Sequence, residues 1–251
     1  MTIKKLLILG GTPEAVELAH LVGEYLGDRL QAILSFSGIT GHQPDVTCDK
    51  RVGGFGGVAG LGAYLAEEQI DYIVDATHPF AEKISQHAYM AAHNQGLPIM
   101  VLKRPPWRPQ SNDHWLEVDD IDQAVDMVAN MKACTFLTIG IKELDRFDGL
   151  EDVPLVVRLI NEPKEELPLS NYTCVLSNPP FSVEDEQKLI RDHKIKILVT
   201  KNSGGEQTKA KLEAARLENV SVILINRPPS EPLEETSSCQ DVLKWLVAHG
   251  A

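Results

Sequence analysis

The stretch Leu6-Leu7-Ile8-Leu9-Gly10-Gly11-Thr12-Pro13-Glu14-Ala15 decides how the fold is read. Four apolar residues in succession suit a strand buried on both faces, and the two glycines suit its exit turn. Beyond the turn, Ala15, Leu18, Ala19, Val22 and Leu26 recur at helical spacing. Strand, glycine turn and helix in this order form the opening of a dinucleotide-binding unit. There the turn brings backbone N–H groups to a pyrophosphate and the helix N-terminus adds the positive end of its dipole. The usual pattern is G-x-G-x-x-G or G-x-G-x-x-A. Here Gly10, Thr12 and Ala15 hold those places, with threonine for the second glycine. A plain α/β turn capped by Thr12 fits the same residues equally well.

The chain around this stretch has 251 residues, 43% of them hydrophobic and 24% charged, which is room for two small globular domains. Its formal net charge of −12 argues against a nucleic-acid partner held by bulk attraction. An anionic ligand would need local basic groups. Cys48, Cys134, Cys174 and Cys239 are widely spaced and have no histidine at metal-binding spacing, so reduced thiols and no metal site are expected. A strand almost at the start leaves no room for a signal peptide, and no apolar run is long enough for a membrane. The expectation is a cytoplasmic protein without a membrane partner, as a monomer or weak homo-oligomer.

Working outward, strands are expected at 31–37, 72–76, 99–102, 115–118, 136–140, 155–159, 174–177, 197–200 and 220–225, mostly with helices between them. Residues 38–50 read as a polar loop. This alternation implies mostly parallel sheets with helices on both faces. Two such series suggest two Rossmann-like lobes, 1–118 and 119–251, with a cleft between them. Ligands of open α/β sheets bind at the C-terminal ends of strands. There the sequence collects Ser35 and Ser37, the glycine-rich run Arg51-Val-Gly-Gly-Phe-Gly-Gly57, and Thr77-His78-Pro79. It also collects the basic run Lys103 to Arg108, Lys201-Asn-Ser-Gly-Gly205, and Arg227.

His78 suits a general acid or a ligand contact, and equally a histidine that bonds its own loop. Lys201, beside Ser203, Gly204 and Gly205, suits an anion site. Ser203 and Glu206 have capping-box spacing, which places a helix N-terminus at that turn. A solvated, capped turn is the other reading. The acidic groups Asp119/Asp120 and Glu184/Asp185/Glu186 fall at helix starts, where they answer the dipole.

Three motifs in order, Gly-Gly-Thr-Pro-Glu-Ala (10–15), Val-Gly-Gly-Phe-Gly-Gly (52–57) and Asp-Ala-Thr-His-Pro-Phe-Ala (75–81), resemble the precorrin-6A and cobalt-precorrin-6A reductase family of cobalamin biosynthesis. Arg104-Pro-Pro-Trp107, Pro180-Phe-Ser182 and Thr200-Lys-Asn-Ser-Gly-Gly205 extend the likeness over nearly the whole chain. The resemblance implies two Rossmann-like lobes with strands exchanged between them. It also implies reduction of one double bond of an anionic, tetrapyrrole-derived macrocycle by NADH or NADPH.

On that reading Gly10, Gly11, Thr12, Glu14, Ala15, Ser35, Ser37, Gly54, Phe55, Gly56, Thr77 and His78 contact the cofactor. The nicotinamide lies over the turns at 10–15 and 52–57. Arg104, Arg108, Lys201, Ser203, Gly204, Gly205 and Arg227 contact the macrocycle's carboxylates, and His78 or solvent donates the proton. Family members often carry an arginine after the second strand that suits a 2′-phosphate. Ile39 stands there, so NADH is expected to serve at least as well as NADPH unless Lys50 or Arg51 compensates. The alternatives are a non-catalytic NAD(P)-sensing protein, which would not need the turn at 201–205, and an S-adenosylmethionine-dependent methyltransferase. The latter would more usually have an acidic residue where Ser35 and Ser37 stand.

Overall fold

The structure, a computed structural model, describes residues 3–38 and 45–251; Ile39 lies outside them. In chain order the elements are β1 (Lys4–Leu9), α1 (Pro13–Leu26), β2 (Leu30–Phe36), β3 (Asp49–Val52), α2 (Gly57–Glu67), β4 (Tyr72–Asp75), α3 (Glu82–Gln95) and β5 (Ile99–Leu102). There follow β6 (Trp115–Val118), α4 (Ile121–Met131), β7 (Thr135–Thr138), a 3-10 helix (Ile141–Phe147), β8 (Leu155–Leu159), β9 (Tyr172–Leu176) and α5 (Val183–Asp192). The chain ends with β10 (Ile197–Lys201), α6 (Ala210–Leu217), β11 (Ser221–Ile225), β12 (Glu235–Thr236) and α7 (Cys239–Ala248).

Two compact units result. One comprises Met1–Pro105 with Pro228–Ala251, the other Pro106–Arg227. Each contains a six-stranded sheet, ordered β3-β2-β1-β4-β5-β12 in the first and β9-β8-β7-β10-β11-β6 in the second, and every pairing is parallel. Both follow the doubly wound order whose direction reverses between the first and fourth strands. The division expected at 118/119 therefore moves. β6 pairs with β11, which draws the segment from Pro106 into the second unit, while β12 pairs with β5 and carries α7 into the first. Only the first sheet takes a strand from beyond its consecutive run, β12, whereas the second is built from the six consecutive strands β6 to β11.

The local reasons are visible in β1 and α1. Leu6 and Ile8 pack with α1 and α7 on one face of the first sheet, while Leu7 and Leu9 pack with α2 and α3 on the other. All four are at most 2% exposed. That two-sided burial is why the strand reads as an unbroken apolar run. Thr12 caps α1 by accepting from Ala15 N at 3.2 Å, and Pro13 follows where a missing N–H costs nothing. The apolar stripe of α1 is buried throughout.

β3 and β12 escape a sequence reading. β3 is Asp-Lys-Arg-Val at a sheet edge with one half-buried residue, and β12 has only two residues. Among the described residues no helix is long and apolar enough to cross a membrane.

Candidate functional site

In the first unit the reversal point lies between β1 and β4, and the two strand exits are tied together. Thr12 Oγ1 donates to Ala76 O at 2.7 Å while it caps α1, and Ala76 N bonds back to Leu9 O. Gly10 is held against β2: its N–H donates to Ser35 O, and a Cβ there would stand 2.9 Å from Leu34 Cδ1. Gly11 is the opposite case. It sits at φ +122°, and a Cβ on it would meet nothing within 4 Å, so the backbone faces open space at the head of α1. A turn that only glycine adopts easily, open on the side of a helix N-terminus, is the geometry a phosphate needs.

Glu14, in the first turn of α1, does not stand free beside this turn. Arg104 reaches it at 3.4 Å, with both side chains largely buried. Burial pushes the Arg104 guanidinium below its ordinary range, and Glu14 opposes that shift. The pair removes a carboxylate charge that would repel a pyrophosphate. Arg104 thus lies in the first unit on Glu14, beside the turn at 10–15, whereas the resemblance assigns it to the macrocycle.

The ends of β2 and β3 bring Ser35 and Arg51 into register. Ser35 is buried and Ser37 exposed. The Arg51 guanidinium donates to Gly53 O at 2.6 Å and Gly54 O at 2.9 Å, lies 3.5 Å from Ser35 Oγ, and stacks 3.7 Å from the centroid of Phe55. Arg51 therefore shapes the glycine loop. Gly53, Gly54, Gly56 and Gly57 all have open space where a Cβ would go. This loop lies beyond β2, on the side of β1 away from β4. The turn at 52–57 consequently lies on the far side of β2 from β4, whereas the turn at 10–15 is tied to the exit of β4.

At the exit of β4, Asp75 Oδ1 accepts from Thr77 N at 3.0 Å and from Thr77 Oγ1 at 2.7 Å, and Thr77 Oγ1 lies 3.3 Å from Ser85 Oγ. His78 Nδ1 accepts from Phe80 N at 3.3 Å, the loop-bonding role, which places the proton of the neutral ring on Nε2. These residues line a cavity of about 140 Å³ that also takes in Lys103 and the 228–233 segment. Lys103 Nζ donates to Ser230 Oγ at 2.6 Å across that segment. Asp75 and Ser85 are not singled out by the sequence, and Lys103 enters there only as part of the basic run. The Asp-x-Thr spacing of 75–77 was the available signal, since an Asp side chain commonly accepts from the N–H two residues on.

The reversal point of the second unit lies between β7 and β10. Gly140 leaves β7 at φ +86° with open space at its Cβ. Lys201 ends β10 and pairs with Glu143 Oε1 of the 3-10 helix at 3.0 Å. The turn beyond it is fastened from within the unit: Trp107 N donates to Asn202 Oδ1 at 2.8 Å and Trp107 Nε1 to Gly205 O at 3.0 Å. Arg227 donates to Asn202 O and Ser203 O, so this arginine holds the turn's backbone instead of standing ready for a ligand. Ser203 and Gly204 are buried, and Gly204 and Gly205 take positive φ. Arg108 is exposed.

The expected helix start at this turn does not form. α6 begins at Ala210, preceded by Lys209, which makes no side-chain capping bond, and Glu206 pairs with Lys209 instead of closing a box with Ser203. Lys201 and the glycine turn therefore act without an adjoining helix dipole. Trp107, Asn202 and Glu143 are the partners that sequence reasoning did not find. Among the described residues no cluster of His, Cys, Asp and Glu is arranged to hold a metal ion.

The family model described as precorrin-6x reductase CbiJ/CobK matches residues 5–247. A precorrin-6A reductase of Rhodococcus erythropolis is 42% identical over 232 residues, which is 92% of each chain. One of Rhodobacter capsulatus is 37% identical over 98% of this chain and 97% of its own. A solved structure described as CobK precorrin-6A reductase aligns with a TM-score of 0.90 at 36% identity, covering 99% of this chain and 98% of the other.

Proposed function

The chain belongs to the precorrin-6x reductase family, oxidoreductases of cobalamin biosynthesis that reduce a double bond of the macrocycle, and from that premise we propose how its two units share the reaction. The first unit holds the dinucleotide. The second takes the carboxylates of precorrin-6A or cobalt-precorrin-6A. The observation that carries this reading is the open glycine turn at Gly11, fixed by Thr12 to the exit of β4 at the reversal point of a six-stranded parallel sheet.

The residues fit a dinucleotide. Gly10, Gly11, Thr12 and Ala15 give the pyrophosphate a backbone cradle, with Glu14 neutralised by Arg104. Ser35, Ser37 and the Gly54-Phe55-Gly56 loop lie on the side of β2 and β3 and take the adenosine half. Thr77 and His78, at the exit of β4, take the nicotinamide half in place of the turn at 52–57, a reading that the position of that turn beyond β2 supports. The bound reduced nicotinamide supplies the hydride. Around it the chain has to orient the ring and exclude water. His78, whose Nδ1 accepts from Phe80 N, is the candidate proton donor, and solvent is the other proton source.

On cofactor choice, the Arg51 guanidinium beside Ser35 supports use of NADPH, since it places a cation at the end of β2 that Ile39 does not provide. In the second unit Lys201, with the buried Ser203-Gly204-Gly205 turn and the exposed Arg108, is assigned to the macrocycle; Arg227 is reassigned to holding that turn. The assignment needs no second copy of the chain, so we read a monomer or weak homo-oligomer. Its four free thiols suit the cytoplasm.

Paired variants test the division of labour. Gly11→Asp puts a Cβ and a negative charge where the phosphates belong, and should abolish nucleotide binding while macrocycle binding persists. Gly140→Asp should weaken macrocycle binding and leave nucleotide titrations as in the wild type. The reverse pattern would exchange the roles of the units.

A further inference from the structure

Asp75 is a buried carboxylate, 3% exposed, at the end of the central strand β4. Both hydrogen bonds it accepts go to one oxygen, Oδ1, from the Thr77 N–H and the Thr77 hydroxyl. The other oxygen, Oδ2, has no partner among the described residues. Asp75 lines the cavity at the exits of β4 and β5, and with Oδ1 taken, Oδ2 is the carboxylate oxygen left to meet a molecule in that space. A buried acceptor without a donor is costly, and most of all when it carries charge. The carboxylate cannot turn to share its load, because the backbone N–H of Thr77 and the hydroxyl together pin Oδ1. The relay behind it is also directional. The single Thr77 proton goes to Asp75, so Ser85 donates to Thr77 across 3.3 Å, and no hydroxyl proton remains for Oδ2.

The cavity is small, about 140 Å³, close to the roughly 150 Å³ that accepts one aromatic ring. Resting on the cofactor assignment above, we propose that Asp75 Oδ2 accepts a hydrogen bond from the carboxamide NH2 of the nicotinamide and so fixes the amide, and with it the ring, over the end of β4. The amide is the one donor a nicotinamide ring carries. A carboxylate whose near oxygen is saturated accepts it in a single orientation. Asp75 is then a cofactor-orienting residue, while Thr77 and Ser85 position it.

The test is binding of oxidised NADP and two analogues, each titrated against the wild type and Asp75→Asn. The 3-acetylpyridine analogue replaces the amide NH2 by methyl, and the thionicotinamide analogue keeps the NH2. The wild type should bind NADP and the thionicotinamide analogue alike and the acetylpyridine analogue about tenfold more weakly, the low end expected for a hydrogen bond to a charged group. In Asp75→Asn the Thr77 N–H keeps the side-chain carbonyl oxygen on its side, so the NH2 of the introduced amide faces the cavity. It can donate to the carbonyl of either ring, and the preference for NADP over the acetylpyridine analogue should collapse to within about twofold. Equal binding of the two by the wild type overturns the proposal with the cofactor assignment intact. So does a preference that survives unchanged in Asp75→Asn. If that variant does not fold, the wild-type comparison still decides. Failure of the wild type to bind any of the three would refute the cofactor assignment and the proposal together.

Discussion

Replacing Arg51 by leucine should change the choice between cofactors. The guanidinium spends Nη1 on Gly53 O and Nη2 on Gly54 O, with Nη1 also 3.5 Å from Ser35 Oγ, and stacks on Phe55. Its remaining N–H donors and its whole charge stand at the end of β2, where a 2′-phosphate would lie. A hydrogen bond from a charged donor to such a group contributes about 1.5–3 kcal/mol. Arg51 is half-exposed, so solvent screening favours the lower part of that range, and about 1.4 kcal/mol is tenfold in affinity. Arg51→Leu should therefore lower kcat/KM for NADPH about tenfold relative to its effect on NADH. The loop at 53–55 loses its clamp in either case and both cofactors suffer from that, so the ratio of the two kcat/KM values isolates the phosphate. Arg51→Lys keeps charge without the planar fork and should fall between. Steady-state kinetics with each cofactor, on variants that retain wild-type circular dichroism, measures the ratio. An unchanged ratio in Arg51→Leu would remove Arg51 from phosphate recognition and restore the case for NADH made by Ile39.

Three further predictions concern other parts of the chain. Thr12→Val strips the cap from α1 and leaves Ala76 O without its side-chain donor, and should cost about 1–3 kcal/mol in urea unfolding; an unchanged midpoint would show that the tie between β1 and β4 is dispensable. Lys201→Ala should weaken macrocycle binding by roughly 1.5–3 kcal/mol with nucleotide affinity nearly unchanged; loss confined to nucleotide binding would assign the lysine to the cofactor, and no change in either affinity would leave it a partner of Glu143 alone. Cys239 has its thiol pushed up to about 12, first by burial and then by Glu17 and Glu14. Below pH 9 both folded and unfolded states hold the proton; above it the unfolded chain loses its proton first. The stability this thiol contributes is thus fully present below about pH 9 and declines as the pH rises toward 12. Denaturant midpoints should drop over that window less in Cys239→Ala than in the wild type, and native Cys239 should resist iodoacetamide at mildly alkaline pH; rapid alkylation would contradict the burial.

The parallel sheets were legible because buried parallel strands are short apolar runs, and β1, β10 and β11 announce themselves that way. The glycine turns were legible for a related reason, since Gly10 and Gly11 punctuate a strand that could otherwise continue. What stayed hidden lacks a local signature. β12 is a strand only because β5 offers its edge, and the unit boundaries follow from that pairing and from β6 with β11, which no window of sequence contains. The arginines show the same limit. Arg104, Arg108 and Arg227 look alike in a basic, proline-bounded setting, yet Glu14 takes the first, the 202–203 carbonyls take the last, and Arg108 alone of the three is exposed. Asp75 was passed over because one carboxylate at a strand end has no pattern until Thr77 and Ser85 are placed around it.

The most direct measurement is anaerobic incubation of the purified chain with precorrin-6A, and separately with its cobalt form, in the presence of NADPH or NADH, following nicotinamide absorbance and the macrocycle's spectrum together. The account predicts that one equivalent of reduced cofactor is consumed per macrocycle reduced, with the dihydro product formed, and that Gly11→Asp abolishes both changes. Macrocycle conversion without cofactor oxidation, or an unchanged rate in Gly11→Asp, would contradict it.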